Sequence, residues 1–269
     1  MPTGGYKPPA ADALGMELAT LTARFDNRLD TAEYADVDTS ANGLQVGPDN
    51  ATVDSAAFAV DAAAATIEDA ADRGSDLLVT HHGLVWGGLD RVTGREYDTV
   101  AALVDNGVAL YVSHLPLDGH PSLGNAAGLA DYLDLEDQAA FGTMGPVTIG
   151  RQGRAGDAYR VDDLRDRLSG LDTGGQEPQV LDFGPDEIET VAIVTGSGAD
   201  WVGEAAAAGV DALVTGEGKQ QIYHEAREAG ITVVLAGHYA TETFGVERLA
   251  DLAAGWGVET TMLSHPTGL

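Results

Sequence analysis

The chain has 269 residues, 44% of them apolar, enough for one large or two ordinary domains around a substantial core. It carries no cysteine, which excludes a disulfide framework and any thiolate metal site, and no apolar run approaches the roughly 18 residues that span a bilayer. Its 43 acidic and 14 basic residues leave a net charge of −29, with Lys7 and Lys219 the only lysines; a surface of this sign repels nucleic acid.

The acids are dispersed along the chain rather than gathered in a tail. They therefore read as adaptation to a high-salt cytoplasm, where a Debye length of about 3 Å screens self-repulsion, in preference to a docking surface for a basic partner.

Residues 1–16 are rich in Pro and Gly and lack the apolar h-region of a secretory signal, so they read as a flexible tail on a cytoplasmic protein. Beyond them, apolar strands alternate with helices: a strand at 56–60, a helix at 62–74 stopped by Gly74, a strand at 76–80, a helix at 97–107, a strand at 108–114 and a helix at 124–135. From about 137 the texture changes to a Gly-rich, strand-like stretch at 145–157, a helix at 161–170 and a turn region at 172–179. The alternation then resumes at 190–200. Strands this apolar predict mixed or parallel sheets covered on both faces by helices.

The second half echoes the first. The stretch from 57 to 83 can be laid over that from 192 to 218, so that Asp76, Thr80 and Gly83 fall on Asp211, Thr215 and Gly218. The next strand repeats as well, and each copy ends in a histidine followed four residues later by a carboxylate: His114 to Asp118, and His238 to Glu242. The expectation is two similar α/β domains from an internal duplication, 17–136 and 137–269, with a site in the cleft between them.

Four of the seven histidines, His81, His82, His114 and His238, sit at predicted strand ends, where open α/β sheets place their chemistry. Neighbours in a regular strand point to opposite faces, so His81 and His82 are expected just past the strand end, in the loop that Gly83 opens. If a helical turn follows each later strand, the i and i+4 residues share one face. Imidazole and carboxylate suit zinc, iron, manganese or nickel. Three histidines and two carboxylates exceed the needs of one catalytic ion, whereas two ions with a shared carboxylate account for the number.

The stretches ANGLQVG (41–47), LLVTHHG (77–83), VSHLPLD (112–118), TGSG (195–198), TGEGK (215–219) and GHYATE (237–242) are similar, in this order, to the motifs of the NIF-three-like family, also called GTP cyclohydrolase 1 type 2 homologues. The resemblance runs from about residue 17 to the C-terminus. It implies a dinuclear metal centre in two α/β domains, and a toroidal homohexamer. Carried over by motif, His81, His82, Asp118, His238 and Glu242 would be the ligands of two divalent ions, and His114 would sit beside them as a proton shuttle or a group supporting the ligands, with simple packing as the alternative.

The resemblance also implies a metal-dependent hydrolase, with GTP or another nucleotide as substrate; attack of water at C8 would open the imidazole ring and release formate. The alternatives are a non-enzymatic metal-delivery or regulatory interaction protein, and a nucleotide phosphohydrolase on the same site. Asn42 and Gln45 could line the site, while Gly43 and Gly47 read as turn residues. TGSG reads as an anion cradle or a tight turn. Glu217 is not expected to be a ligand, His224 reads as helix packing, and His120 and His265 lie outside the motifs.

Overall fold

The computed structural model describes residues 15–48 and 50–269. Of the segment read as a tail, only Gly15 and Met16 fall among them; Met16–Glu17 already forms a short strand, antiparallel to Thr52–Val53. Lys7 lies outside the described residues.

Two mixed sheets form the centre. In the first, the strands run in the spatial order Glu259–Met262, Ser55–Asp61, Leu77–His82, Ala109–Val112, Gly43–Val46. The first four are parallel, and Gly43–Val46 closes the edge antiparallel. The second sheet runs Leu135–Met144, Val147–Arg160, Glu187–Val194, Ala212–Thr215, Thr232–Leu235, Gln179–Leu181. Its middle strands Glu187–Val194, Ala212–Thr215 and Thr232–Leu235 are parallel, flanked by antiparallel neighbours.

The strands are buried on both faces because helices cover both. On the first sheet, Phe58, Val60, Leu77, Val79 and Tyr111 point to one side, against Leu18, Leu21 and Phe25 of the helix Leu18–Leu29. Ala57, Ala59, Leu78, Leu110 and Val112 point to the other, against Ile67, Ala70 and Leu103. The second sheet alternates likewise, with Val194 and Leu213 on one side and Val191, Ile193 and Val214 on the other. This period-2 division is why the strands read as unbroken apolar runs. Among the described residues no helix is long and apolar enough to cross a membrane.

The positions matched between the two halves do the same work. Asp76 accepts the backbone N–H groups of Asp54 and Ser55 through Oδ2 at 2.9 and 3.0 Å; Asp211 accepts those of Glu189 and Thr190 at 3.0 and 2.8 Å. Each aspartate locks the start of its own strand to the strand before it.

The chain does not divide at 136/137, however. The helix Thr243–Gly255 and the strand Glu259–Met262 return to the first sheet, where Leu249 and Ala253 join its core. The helix Asn125–Tyr132 in turn packs its Ala126, Leu129 and Ala130 on the second sheet. The free edge of the strand Ser55–Asp61 takes a parallel partner, and the C-terminal segment supplies it.

Candidate metal centre

The parallel strands of the two sheets end at a common place. Leu77–His82 carries His81 and His82 as its last two residues, so both belong to the strand and not to the loop beyond it. His82 is still in register with Asp61. Their rings nevertheless converge, with centroids 4.6 Å apart. Side chains at a strand end lean along the strand direction, and here both reach past the sheet edge to one carboxylate, Glu242.

The strand Ala109–Val112 runs into Ser113 and His114, and the short helix Leu115–Gly119 follows with Asp118. On the other side, Thr232–Leu235 leads through Gly237, held at φ +98°, into the turn His238–Thr241 and then Glu242. Positive φ at Gly237 lets the chain turn sharply enough to bring His238 back over the strand ends.

Glu242 is buried at the centre. Its Oε1 lies 3.5 Å from His81 Nε2, and its Oε2 lies 3.4 Å from His82 Nε2 and 3.2 Å from His238 Nε2. Asp118 Oδ1 stands 3.5 Å from His81 Nε2 and accepts from Asn125 Nδ2 and Thr195 Oγ1 at 2.9 and 3.0 Å. Three groups have ligand atoms within 4.8 Å of one another: His81, Asp118 and Glu242; His82, His238 and Glu242; and His81, His82 and His114. All six residues singled out in the sequence thus meet in one cluster.

Every one of the four imidazoles is anchored through Nδ1, leaving Nε2 to face the cluster. Nδ1 of His81 donates to the Ser113 carbonyl at 3.0 Å, that of His82 meets Asp61 at 2.9 Å, that of His114 meets Asp38 at 2.9 Å, and that of His238 lies 3.2 Å from Glu217. Such outer partners fix the tautomer and orientation of a metal-binding histidine. Sequence reasoning does not find Asp38 and Asp61; Glu217, set aside there as a ligand, stands outside the three ligand groups and meets His238 from behind. Burial alone would raise the Asp38 carboxyl; the hydrogen bond and charge of His114, with the Asn42 amide and the Ser40 N–H, hold it below the ordinary aspartate range.

His81 Nε2 and Glu242 Oε2 are buried without an aligned hydrogen-bond partner, although nitrogen and oxygen stand within 3.5 Å. Orphaned lone pairs on both sides call for a positive charge between them, so the donor set fits a divalent cation. Where no cation stands there, protons take its place. Burial pulls His81 down, but the charges of Asp118 and Glu242 outweigh it and push the ring up to about 10. His238 is likewise raised to about 9 by Glu242 and Glu217 against its burial.

The remaining motifs support this cluster. In TGSG the two glycine amides are already used, Gly196 N–H on Thr241 Oγ1 and Gly198 N–H on Thr215 Oγ1, which favours the tight turn over the anion cradle. A Cβ on Gly196, which has φ +60°, would fall 2.1 Å from Glu242 Oε1. Asn42 Oδ1 accepts the His114 N–H at 2.7 Å while its amide donates to Asp38 at 2.8 Å, and Gln45 Oε1 accepts the N–H groups of Leu84 and Val85.

His224, read as helix packing, is instead exposed and belongs to none of the three ligand groups. His120 bonds the Arg28 carbonyl and the N–H groups of Ser122 and Leu123, and His265 lies 3.4 Å from Asp69. A cavity of about 200 Å³ opens beside His82, His238 and Glu217, bounded by Val60, Tyr239 and Leu269.

Comparison with known proteins adds a family. Residues 16–267 match the model of Duf34/NIF3 (NGG1p interacting factor 3). A protein of Halobacterium salinarum named GTP cyclohydrolase 1 type 2 homolog is 60% identical over 255 residues, 94% of this chain and 100% of its own. Among solved structures, protein ybgI, described as of unknown function, superposes with a TM-score of 0.87 at 31% identity, covering 94% of this chain and 100% of that one. TTHA1606 from Thermus thermophilus gives 0.85 at 36% identity, with the same two coverages.

Proposed function

The chain belongs to the Duf34/NIF3 family, and from that premise we propose that it is a hydrolase dependent on two divalent cations, with chemistry of the kind for which its relatives are named. The observation that carries this reading is the sharing of Glu242 by two ligand groups. His81, Asp118 and Glu242 would hold one cation, and His82, His238 and Glu242 the other. When bound, such a pair supplies Lewis acidity and a nucleophile at neutral pH.

The chain's own groups do the rest. Asp61, Glu217 and the Ser113 carbonyl hold three imidazoles in place. His114, fixed through Nδ1 on Asp38, keeps Nε2 for accepting a proton and returning it as the substrate's ring opens. Asp38, its carboxyl held below the ordinary aspartate range, fixes the orientation of that ring. The proposed substrate is GTP or another purine nucleotide, and the proposed assembly, by likeness to the family, is a homohexamer.

The test is to load the purified chain in turn with zinc, iron, manganese and nickel, offer it a nucleotide panel, and follow formate and the loss of purine absorbance. Phosphate release, measured in parallel, would move the reading to a phosphohydrolase. Full metal with no turnover of any nucleotide would move it to metal delivery or regulation.

A further inference from the structure

The loop after the histidine pair exposes a tryptophan and holds it still. Trp86 is 43% exposed, yet its surroundings fix it on several sides. The Leu84 and Val85 N–H groups donate to Gln45 Oε1 at 2.8 and 3.1 Å. The Ala41 N–H donates to the Val85 carbonyl and the Gly87 N–H to the Thr39 carbonyl, at 3.1 and 2.7 Å, and Trp86 itself bridges Ser40. The indole N–H is already used, donating to the Gly83 carbonyl at 3.1 Å. What remains on offer is π surface.

That surface borders the cluster. The indole meets His114 edge to face, with centroids 4.9 Å apart, and lies 6.1 Å from the His82 ring. The segment 38–45 that braces the loop also holds His114, through Asp38 and Asn42. Trp86 and the proton-carrying imidazole are thus set by one scaffold. An aromatic face beside a reactive centre, rigid and without a free donor, suits a flat ring and pays little entropy to bind it.

We propose that Trp86 is the platform on which a planar heteroaromatic ring of the substrate stacks, next to the cations' ligands. This rests on the hydrolase reading for its choice of ring, and its test separates the two. The probe is GMP bound to the zinc-loaded protein, with pyrophosphate as the control that has negative charge and no ring.

Trp86→Leu should weaken GMP binding by about 10-fold or more, the usual worth of one base stacked on an aromatic residue, and leave zinc content and pyrophosphate binding unchanged. Trp86→Phe should keep most of the GMP affinity. It should also abolish the quenching of tryptophan emission that GMP causes in the parent, since Trp201 and Trp256 lie elsewhere, on Thr143 and Phe25.

GMP affinity in Trp86→Leu within twofold of the parent overturns the proposal, as does undiminished quenching in Trp86→Phe. A parent that binds neither GMP, AMP nor CMP overturns it too. So does a change of assembly mass in Trp86→Leu with GMP binding intact, which would assign the indole to a subunit contact. Stacking that depends on Trp86 without turnover of any nucleotide leaves this proposal standing and removes the hydrolase reading. Turnover and binding indifferent to Trp86 do the reverse.

Discussion

His81 and Glu242 face each other, both buried, with His81 Nε2 3.5 Å from Glu242 Oε1 and no aligned hydrogen bond to Nε2. Glu242 also meets His82 and His238 through its other oxygen, so its charge serves both ligand groups. Glu242→Gln keeps the shape and removes that charge. Elemental analysis should find close to two transition ions per chain in the parent after reconstitution at neutral pH, and a large loss of both in the variant. A parent that stays at zero would remove the two-ion reading.

The same geometry sets a pH dependence. His81 is raised to about 10 and His238 to about 9, from an ordinary 6.5, when protons alone neutralise the cluster. A group whose pKa is raised on folding stabilises the fold fully below its unfolded pKa, and that contribution is lost as pH climbs through the folded value. Chelator-treated protein should therefore lose thermal stability steadily between about pH 6.5 and 10. Because a cation replaces those protons, loading metal at pH 7 should release protons into a weak buffer, and affinity should rise with pH. Calorimetry in buffers of different ionisation enthalpy counts the protons; a count of zero would contradict the pairing.

Gly196 bonds its neighbours through its backbone alone, and its lack of a side chain is required. Its φ is +60° and a Cβ there would collide with Glu242. Gly196→Ala should cost about 1–2 kcal/mol for the left-handed backbone alone, and more for displacing the carboxylate. Metal content should fall together with Tm. A variant with full metal and parental Tm would show that Glu242 has room the structure denies it.

The net charge of −29 predicts a salt response. Tm should climb markedly between about 0.1 M and 2 M KCl as self-repulsion is screened. A flat or falling curve would return the acid excess to the reading in which it receives a basic partner.

The parts of this molecule that could be read from sequence are those with local signals. Buried parallel strands announce themselves as apolar runs, and histidines are few enough that four at strand ends stand out. The anchors Asp38 and Asp61 gave no such signal. Among 43 acidic residues, nothing local marks an aspartate that meets a histidine 76 positions away. The helix Leu18–Leu29 follows a helical apolar spacing, with Leu18, Leu21, Phe25 and Leu29 buried, but it lies outside the strand–helix alternation that guided the reading. The strand Leu135–Met144 is half exposed at a sheet edge and is interrupted by Glu136, Asp137 and Gln138, so it lacks the apolar run. The return of Glu259–Met262 to the first sheet is a tertiary choice of partner, which no repeat between halves could reveal. The placement of His81 and His82 beyond their strand assumed a flat, regular strand end; leaning side chains made the loop unnecessary.

His114 separates an enzyme from a metal carrier. Its ligand atom lies within 4.8 Å of those of His81 and His82, but it is the only one of the four cluster histidines that stands in no group with Glu242. Its Nδ1 is held by Asp38, and its backbone N–H by Asn42. Under the proposed two-cation reading, a group so held, beside Glu242 and outside both groups that share it, would move a proton. His114→Asn should therefore leave both ions bound while turnover falls by roughly 10²–10⁴-fold, the usual worth of a positioned acid or base. Asp38→Asn should lower turnover by a smaller factor, because an uncharged amide holds the His114 ring less firmly than the carboxylate at 2.9 Å. Metal content and rate are measured on parent and variants side by side. Loss of metal from His114→Asn would make the residue a ligand; unchanged turnover with full metal would reduce it to packing against Trp86.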